Sequence, residues 1–325
     1  MTDPEIEPRL AEENAGPIAR RRPYYLSLAP LVSWTWEDRP LDWDAVFGRR
    51  APLELEIGFG NGEALVRRAW ENPGTNQVGL EIAWASIKRA LRRLGRLKVA
   101  NVRLLMVDAH LALAKLFGPG SIDRVWSLFP SPWPKEKHTR RRLFSGSFLQ
   151  LLNSRLTEAG EVVIVTDFEP LLEWISGQTP DTGLSVSRRA VPAGYDTKYE
   201  RKWLTWGREA FHEMKLVKER HQDVSLVEDS PLISFRLTSF DPSNFSPRDL
   251  SGQPAVKFKE FLYDPDQRQG LLRAFVVEDK LIQDFWIRIK DEGGYWFLGL
   301  AQPKTVLPTE GVRLALDLAH EAAGK

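Results

Sequence analysis

At 325 residues the chain exceeds one average domain and suits two, one of them large enough to bury a sizeable core. A formal net charge of +1 provides no global field for a nucleic acid, so any such attraction has to come from local clusters of Lys and Arg. The absence of cysteine excludes disulfide frameworks, thiolate metal sites and cysteine nucleophiles.

The opening Met1-Thr2-Asp3-Pro4-Glu5 has neither a basic nor an apolar leader character, and no later run reaches bilayer length. A soluble, cytoplasmic protein is the default expectation. Residues 1–50 read as an N-terminal tail and lead-in, with a basic knot at Arg20-Arg21-Arg22 and no clean period. The core starts after Pro52. Leu53-Glu54-Leu55-Glu56-Ile57 reads as a strand, a Gly-rich turn follows, and a helix crosses Glu63 to Trp70, forming a βα unit.

The alternation repeats. Strands are expected near Gln77–Ile82, Val102–Asp108, Ile122–Phe129 and Glu161–Thr166, with helices near Trp84–Lys98, Ala109–Phe117, Arg140–Leu156 and Pro170–Ser176. Such repetition predicts an α/β fold with a parallel, doubly wound sheet. After Leu184–Arg189 a loop passes Pro192 and Gly194, and Phe211–Val217 reads as a strand that completes the sheet. The seam is placed just beyond it. Residues 218–325 change character, with short strands at Leu232–Phe240, Val256–Leu262, Leu271–Val277, Phe285–Ile289 and Tyr295–Leu300 and a closing helix from Gly311 to Ala322. This part is expected to be a smaller α+β appendage, an antiparallel meander backed by a helix.

The turn Glu56-Ile57-Gly58-Phe59-Gly60-Asn61-Gly62 lies between the first strand and helix, where Gly58 and Gly60 let the backbone approach a ligand. A dinucleotide loop places its third glycine one position later, so that a pyrophosphate rests on the helix N-terminus. Here Glu56 precedes the turn, which disfavours a pyrophosphate and suits the sulfonium and amino group of S-adenosylmethionine. Glu81, ending the second strand, is placed to accept from two ribose hydroxyls, and Asp108, ending the third, from an adenine amino group. Singly, Glu56 could cap a turn, Glu81 be solvated and Asp108 serve as a helix N-cap. Three strand-end carboxylates in order make the cofactor site the better reading.

After the fourth strand comes Phe129-Pro130-Ser131-Pro132-Trp133-Pro134, then Lys135, Lys137, Arg140, Arg141 and Arg142 within a few residues. Three prolines stiffen this loop, its cations can neutralise phosphates, and Trp133 can stack on a base or pack. A solvated, charged helix start is the alternative. Lys88, Arg89, Arg92, Arg93, Arg96 and Lys98 gather along the helix after Glu81, a pattern that is more often a solvated face.

The sequence resembles the bacterial tRNA (guanine-N7)-methyltransferases, which modify the variable-loop guanine at position 46 of tRNA. The resemblance runs from Val46 to Val217 and rests on Val46-Phe47-Gly48, the glycine loop, Gly79-Leu80-Glu81, Asp108-Ala109, the Pro-Trp-Pro stretch with its basic tail, Thr166-Asp167 and Thr197-Lys198-Tyr199-Glu200. It implies a Rossmann-like S-adenosylmethionine-dependent methyltransferase fold over residues 51–217, with the cofactor on Glu56, Glu81 and Asp108. It implies a guanine pocket near Ser131, Asp167, Thr197 and Glu200, with tRNA contacts from Lys135, Arg140, Arg141 and Arg142. Asp167 and Glu200 are the candidate carboxylates for balancing charge on the purine and for accepting from guanine N1–H and its amino group. The family usually reads Phe-Pro-Asp-Pro-Trp where this chain carries Ser131. Residues 218–325 lie outside the resemblance, and no metal is implied. Either a monomer or a homodimer is compatible with the sequence. Two rival readings are a tRNA-binding protein with weakened catalysis, Ser131 being the lesion, and a small-molecule methyltransferase, which leaves the basic loop without a task.

Overall fold

The computed structural model describes residues 25–207, 210–278 and 281–324. The acidic tail and the basic knot Arg20-Arg21-Arg22 lie outside them.

Two sheets organise these residues. The first has the order β3-β2-β1-β4-β5-β7-β6. Its strands are β1 (Leu53–Ile57), β2 (Asn76–Glu81), β3 (Val102–Met106), β4 (Ile122–Leu128), β5 (Leu156–Thr166), β6 (Leu184–Pro192) and β7 (Ala210–Lys218). Strands β1 to β5 pair in parallel, as the strand-helix alternation predicts. β7 then inserts antiparallel between β5 and β6, which the sequence reading places without orientation.

The helices are α1 (Trp43–Phe47), α2 (Glu63–Glu71), α3 (Trp84–Leu97), α4 (Ala109–Lys115), α5 (Gly146–Arg155), α6 (Glu169–Gln178) and α7 (Lys198–Thr205). Leu55, Val78 and Ile164 pack with Leu113, Phe148 and Leu172, so α4, α5 and α6 cover one face. On the other face Leu65, Ile87 and Leu91 join Val102 and Leu104 under α2 and α3. Their apolar residues recur at helical spacing and leave Lys88, Arg89, Arg92 and Arg96 on the solvent side of α3.

Several expected boundaries move, among them the start of β5, which lies at Leu156 and not Glu161. The helix expected from Arg140 begins only at Gly146, because Ser145 caps it by accepting from the Phe148 N–H, and the basic run before it forms a 3-10 turn at Glu136–Arg141. Within the stretch read as loop after β6, Thr197 caps the short α7 in the same way.

The second sheet has the order β8-β12-β11-β10-β9, built from β8 (Phe235–Leu237), β9 (Ala255–Asp264), β10 (Gln269–Glu278), β11 (Leu281–Asp291) and β12 (Trp296–Leu300), all paired antiparallel. Leu272, Ala274, Val276, Phe285, Ile287 and Leu298 face α8 (Glu310–Ala323), which contributes Val312, Ala315, Leu316 and Ala319 to a separate core. The segment between β7 and β8 runs as a strap along the first unit. Buried Arg155 donates to the carbonyls of Val224 and Ser225, and buried Lys115 donates to those of Val227 and Glu228 and pairs with Asp229. Arg39 grips the same Asp229 carboxylate. The strap returns amides as well: Gln222 N–H donates to Asn153 Oδ1 and Val227 N–H to Ala114 O.

Candidate active site at the carboxyl edge of the sheet

The strand order 3-2-1-4-5 places the candidate residues in a row along the carboxyl edge. Asp108 follows β3, Glu81 ends β2, the glycine loop follows β1, Ser131 follows β4 and Asp167 follows β5.

Gly58 and Gly60 have φ of 71° and 57°, and a Cβ built on either meets open space, so the loop forms a cradle that side chains would fill. Gly62 serves packing instead, since a Cβ there would come within 2.8 Å of Ala90 Cβ on α3. The Glu81 carboxylate ties the two edges of the cradle together. One oxygen accepts from Gly60 N–H at 3.1 Å, the other from Ile82 and Ala83 N–H at 2.8 and 3.0 Å. Asp108 caps α4 through the His110 N–H at 2.9 Å, so the ordinary cap role foreseen for it is real and engages one of its oxygens. Beside Glu81, Ile82 is 71% exposed and Met106, its register partner on β3, 48% exposed. The sequence reading missed this apolar wall, because exposure of a strand-end Met has no local signal.

Glu56 differs from its expected setting. It is buried, and Arg68 from α2 engages it while stacking 4.6 Å from the Trp126 ring centroid. Burial pushes its carboxyl up from the ordinary range, against the opposing pull of Arg68. Glu56 thus already faces a cation, Arg68, which the sequence does not single out.

The reacting end is set by β4 and β5. Phe129 N–H donates to Val165 O at 2.7 Å, which draws the Pro130-Ser131 turn alongside Thr166-Asp167. Ser131 is exposed and Asp167 half-buried. Trp133 faces His138 edge-on and carries the Arg141 guanidinium 5.0 Å from its ring centroid. Lys135, Arg140 and Arg141 are exposed. Arg142, expected among the tRNA contacts, donates to the carbonyls of Pro132 and Trp133 at 3.0 and 3.3 Å and stacks on Trp174, so it braces the loop.

Glu200 and Thr197 also brace a loop. Glu200 is 1% exposed, and its carboxylate accepts from three consecutive amides, Gly194, Tyr195 and Asp196. Thr197 Oγ accepts from the Glu200 N–H. Together they shape the loop that flanks the reacting end. Arg67 and Arg201 pin that loop, Arg67 through Gly194 O and Arg201 by bridging Asp196 and Glu63. Tyr195 donates to Glu213, and burial, with help from that carboxylate, pushes its hydroxyl up to about 12.

A family model described as a putative methyltransferase matches residues 50–213. A tRNA (guanine-N(7)-)-methyltransferase of Thermotoga maritima is 39% identical over 288 residues, 85% of this chain and 91% of that one. The enzyme of the same name from Thermus thermophilus is 34% identical over 285 residues, 85% of this chain and 90% of that one. The chain belongs to this family. A third relative so named, from Chlorobium phaeobacteroides, is 46% identical but over 169 residues, 52% of this chain and 83% of its own. The 288-residue alignment is longer than the chain up to β7, so with the Thermotoga relative the likeness continues into the second sheet.

As a methyltransferase the protein uses S-adenosylmethionine, and the residues present fit that group. Open cradle glycines, two strand-end carboxylates as acceptors for hydroxyl and amino donors, and an apolar wall beside them match its ribose, adenine and methionine parts. Among the described residues no cluster could hold a metal ion and no helix is long and apolar enough to cross a membrane.

Proposed function

We propose that the protein methylates N7 of guanine 46 in the tRNA variable loop, acting in the cytoplasm. The observation that carries this reading is the sequence of groups along the carboxyl edge: acceptors and cradle on β1 to β3, then the Ser131 turn and Asp167 on β4 and β5, with exposed cations beside them. The names of the relatives support the guanine-N7 chemistry on tRNA. Residues 51–217 would form the catalytic domain, residues 1–50 its lead-in and 218–325 an α+β domain.

When bound, S-adenosylmethionine supplies a methyl group already activated on a sulfonium. Glu81 would hold the ribose hydroxyls, Asp108 the adenine amino group, and Gly58 and Gly60 would admit the methionine end, with Glu56 and Arg68 setting the field beneath it. Guanine N7 is a free acceptor at neutral pH, so no group has to remove a proton before attack. The task left to the protein is positioning, which supplies up to about 7–11 kcal/mol when both partners are held in near-attack geometry. Asp167 would bind the guanine N1–H and amino donors and offset the positive charge arriving on the purine, with Ser131 contributing one neutral hydrogen bond. Lys135, Arg140 and Arg141 would hold phosphates, while Arg142, Thr197 and Glu200 keep the two flanking loops in shape.

The test is methylation of an unmodified tRNA transcript followed by nuclease digestion and mass mapping. Methyl on guanine 46 is expected; methyl on another base, or none, overturns the reading.

A further inference from the structure

The face of the second sheet turned away from α8 is built from cations and aromatic rings. Its register fixes who lies there. Leu271, Arg273 and Phe275 of β10 stand opposite Arg288, Trp286 and Asp284 of β11, Lys290 stands opposite Phe297 of β12, and Arg236 of β8 opposite Phe297 again. On the outer strand, Lys257 pairs with Phe275 and Leu262 with Leu271. Guanidinium and ammonium groups sit over the rings: Arg273 lies 5.2 and 5.9 Å from the centroids of Phe275 and Trp286, Lys259 5.5 Å from Phe275, and Arg288 5.4 Å from Phe297.

Carboxylates cancel only part of these charges. Glu260 and Asp284 are both held by Arg273 and Glu292 pairs with Lys290, whereas Lys257, Lys259, Arg236 and Arg288 make no ion pair among the described residues. Arg288 Nε is buried without a hydrogen-bond partner, although this side of its strand has no helix over it. A sheet face that needs only solvent would carry few large rings, and a surface for an apolar partner would not place unpaired lysines among them.

We infer that this open face is a second RNA-binding surface, which engages the phosphates and unstacked bases of the same tRNA that enters the catalytic edge. The inference rests on the tRNA reading above for the identity of the RNA. Flat rings on a sheet stack bases regardless of sequence, and the surrounding lysines and arginines follow the backbone. Lys259 and Arg288, which lie over rings without an ion pair, can turn onto phosphates when bases take their place, while Arg273 stays with Glu260 and Asp284.

The full chain is tested with a labelled, unmodified tRNA transcript as probe, using Lys257→Glu/Lys259→Glu and, separately, Trp286→Ala. Each variant is expected to raise the tRNA Kd about tenfold, and the double variant to flatten its salt dependence. The KM for tRNA should rise with kcat at saturating tRNA unchanged, the pattern of lost uniform binding. Thermal unfolding and calorimetric S-adenosylmethionine binding report whether the fold and the catalytic edge are intact. Folded variants with wild-type tRNA affinity and salt slope overturn the inference. So does a wild-type dimer that the double variant splits while tRNA affinity is unchanged, because the face would then be a protein interface. Wild-type protein that binds tRNA without methylating it, with both variants losing that binding, removes the proposed function and leaves the RNA surface standing.

Discussion

Removing the Glu81 carboxylate takes away three backbone hydrogen bonds at the cradle as well as the acceptor proposed for the ribose. Glu81→Ala is therefore expected to weaken cofactor binding by about 1.5–3 kcal/mol, the scale of hydrogen bonds to a charged group. Titration calorimetry checks it, and unchanged affinity would sink the assignment. Asp167 and Ser131 divide differently. A serine hydroxyl cannot accept from both guanine donors or offset charge on the purine, so Asp167→Ala should slow single-turnover transfer about 10²–10³-fold more than Ser131→Ala. Ser131→Asp should change kcat only modestly; a large acceleration would show the roles to be misassigned. The residue identities at this edge were readable from the sequence because strand ends and glycines announce themselves. What Glu200 and Arg142 do was not, since a carboxylate reaching back to amides at Gly194 to Asp196, or a guanidinium folding over Pro132 O, depends on loop geometry that no spacing encodes.

At the level of elements, the basic stretch after Trp133 separates into parts that a pattern reading merged. Lys135, Arg140 and Arg141 project outward, and Arg142 holds the turn. Neutralising Lys135, Arg140 and Arg141 should raise the KM for tRNA and reduce the salt slope by about 0.7–0.9 for each phosphate left without its cation, with cofactor affinity intact. Arg142→Ala should instead lower kcat by letting the Pro-Trp-Pro turn drift, with the salt slope near that of wild type. Comparison of the two slopes decides whether the division is correct. Strand and helix positions through β5 were legible because apolar periodicity and a strict βα rhythm act locally. The inverted insertion of β7 was hidden: its direction follows from the path of the chain through α7, and a strand looks alike in either orientation.

For the whole molecule, the seam expected just after Val217 is crossed by the strap. A chain ending near Arg220 would leave Arg155 and Lys115 buried without the carbonyls and carboxylate they grip, whereas one ending after Ser230 would keep them. The shorter fragment is expected to be insoluble or far less stable, and the longer one folded and able to bind S-adenosylmethionine; equal stability of the two in urea unfolding would contradict this. The strap also carries a pH signature. Burial opposes ionisation of Asp229, but Arg39 and Lys115 outweigh it and hold the carboxyl below its usual range. Its contribution is thus present above the unfolded value of about 3.9 and is lost as pH falls through the depressed folded value. Asp229→Asn should destabilise by about 1–2 kcal/mol at neutral pH, discounted because the side chain is about one-third exposed. The gap from wild type should narrow in acid, and parallel curves would remove the linkage.

Apart from the Asp229 carboxylate, the strap is fastened largely through its own main-chain atoms. Arg155 and Lys115 read carbonyl oxygens, which every residue owns, so exposed Ser225 and Glu228 are free to drift through almost any side chain without loosening the grip. The two readers have no such latitude. Proline at position 222 or 227 is excluded from that freedom, since it would delete an N–H that reaches back to Asn153 or Ala114. Within this family, substitutions should therefore accumulate on the strap outside Asp229 and be rare at the positions beneath it.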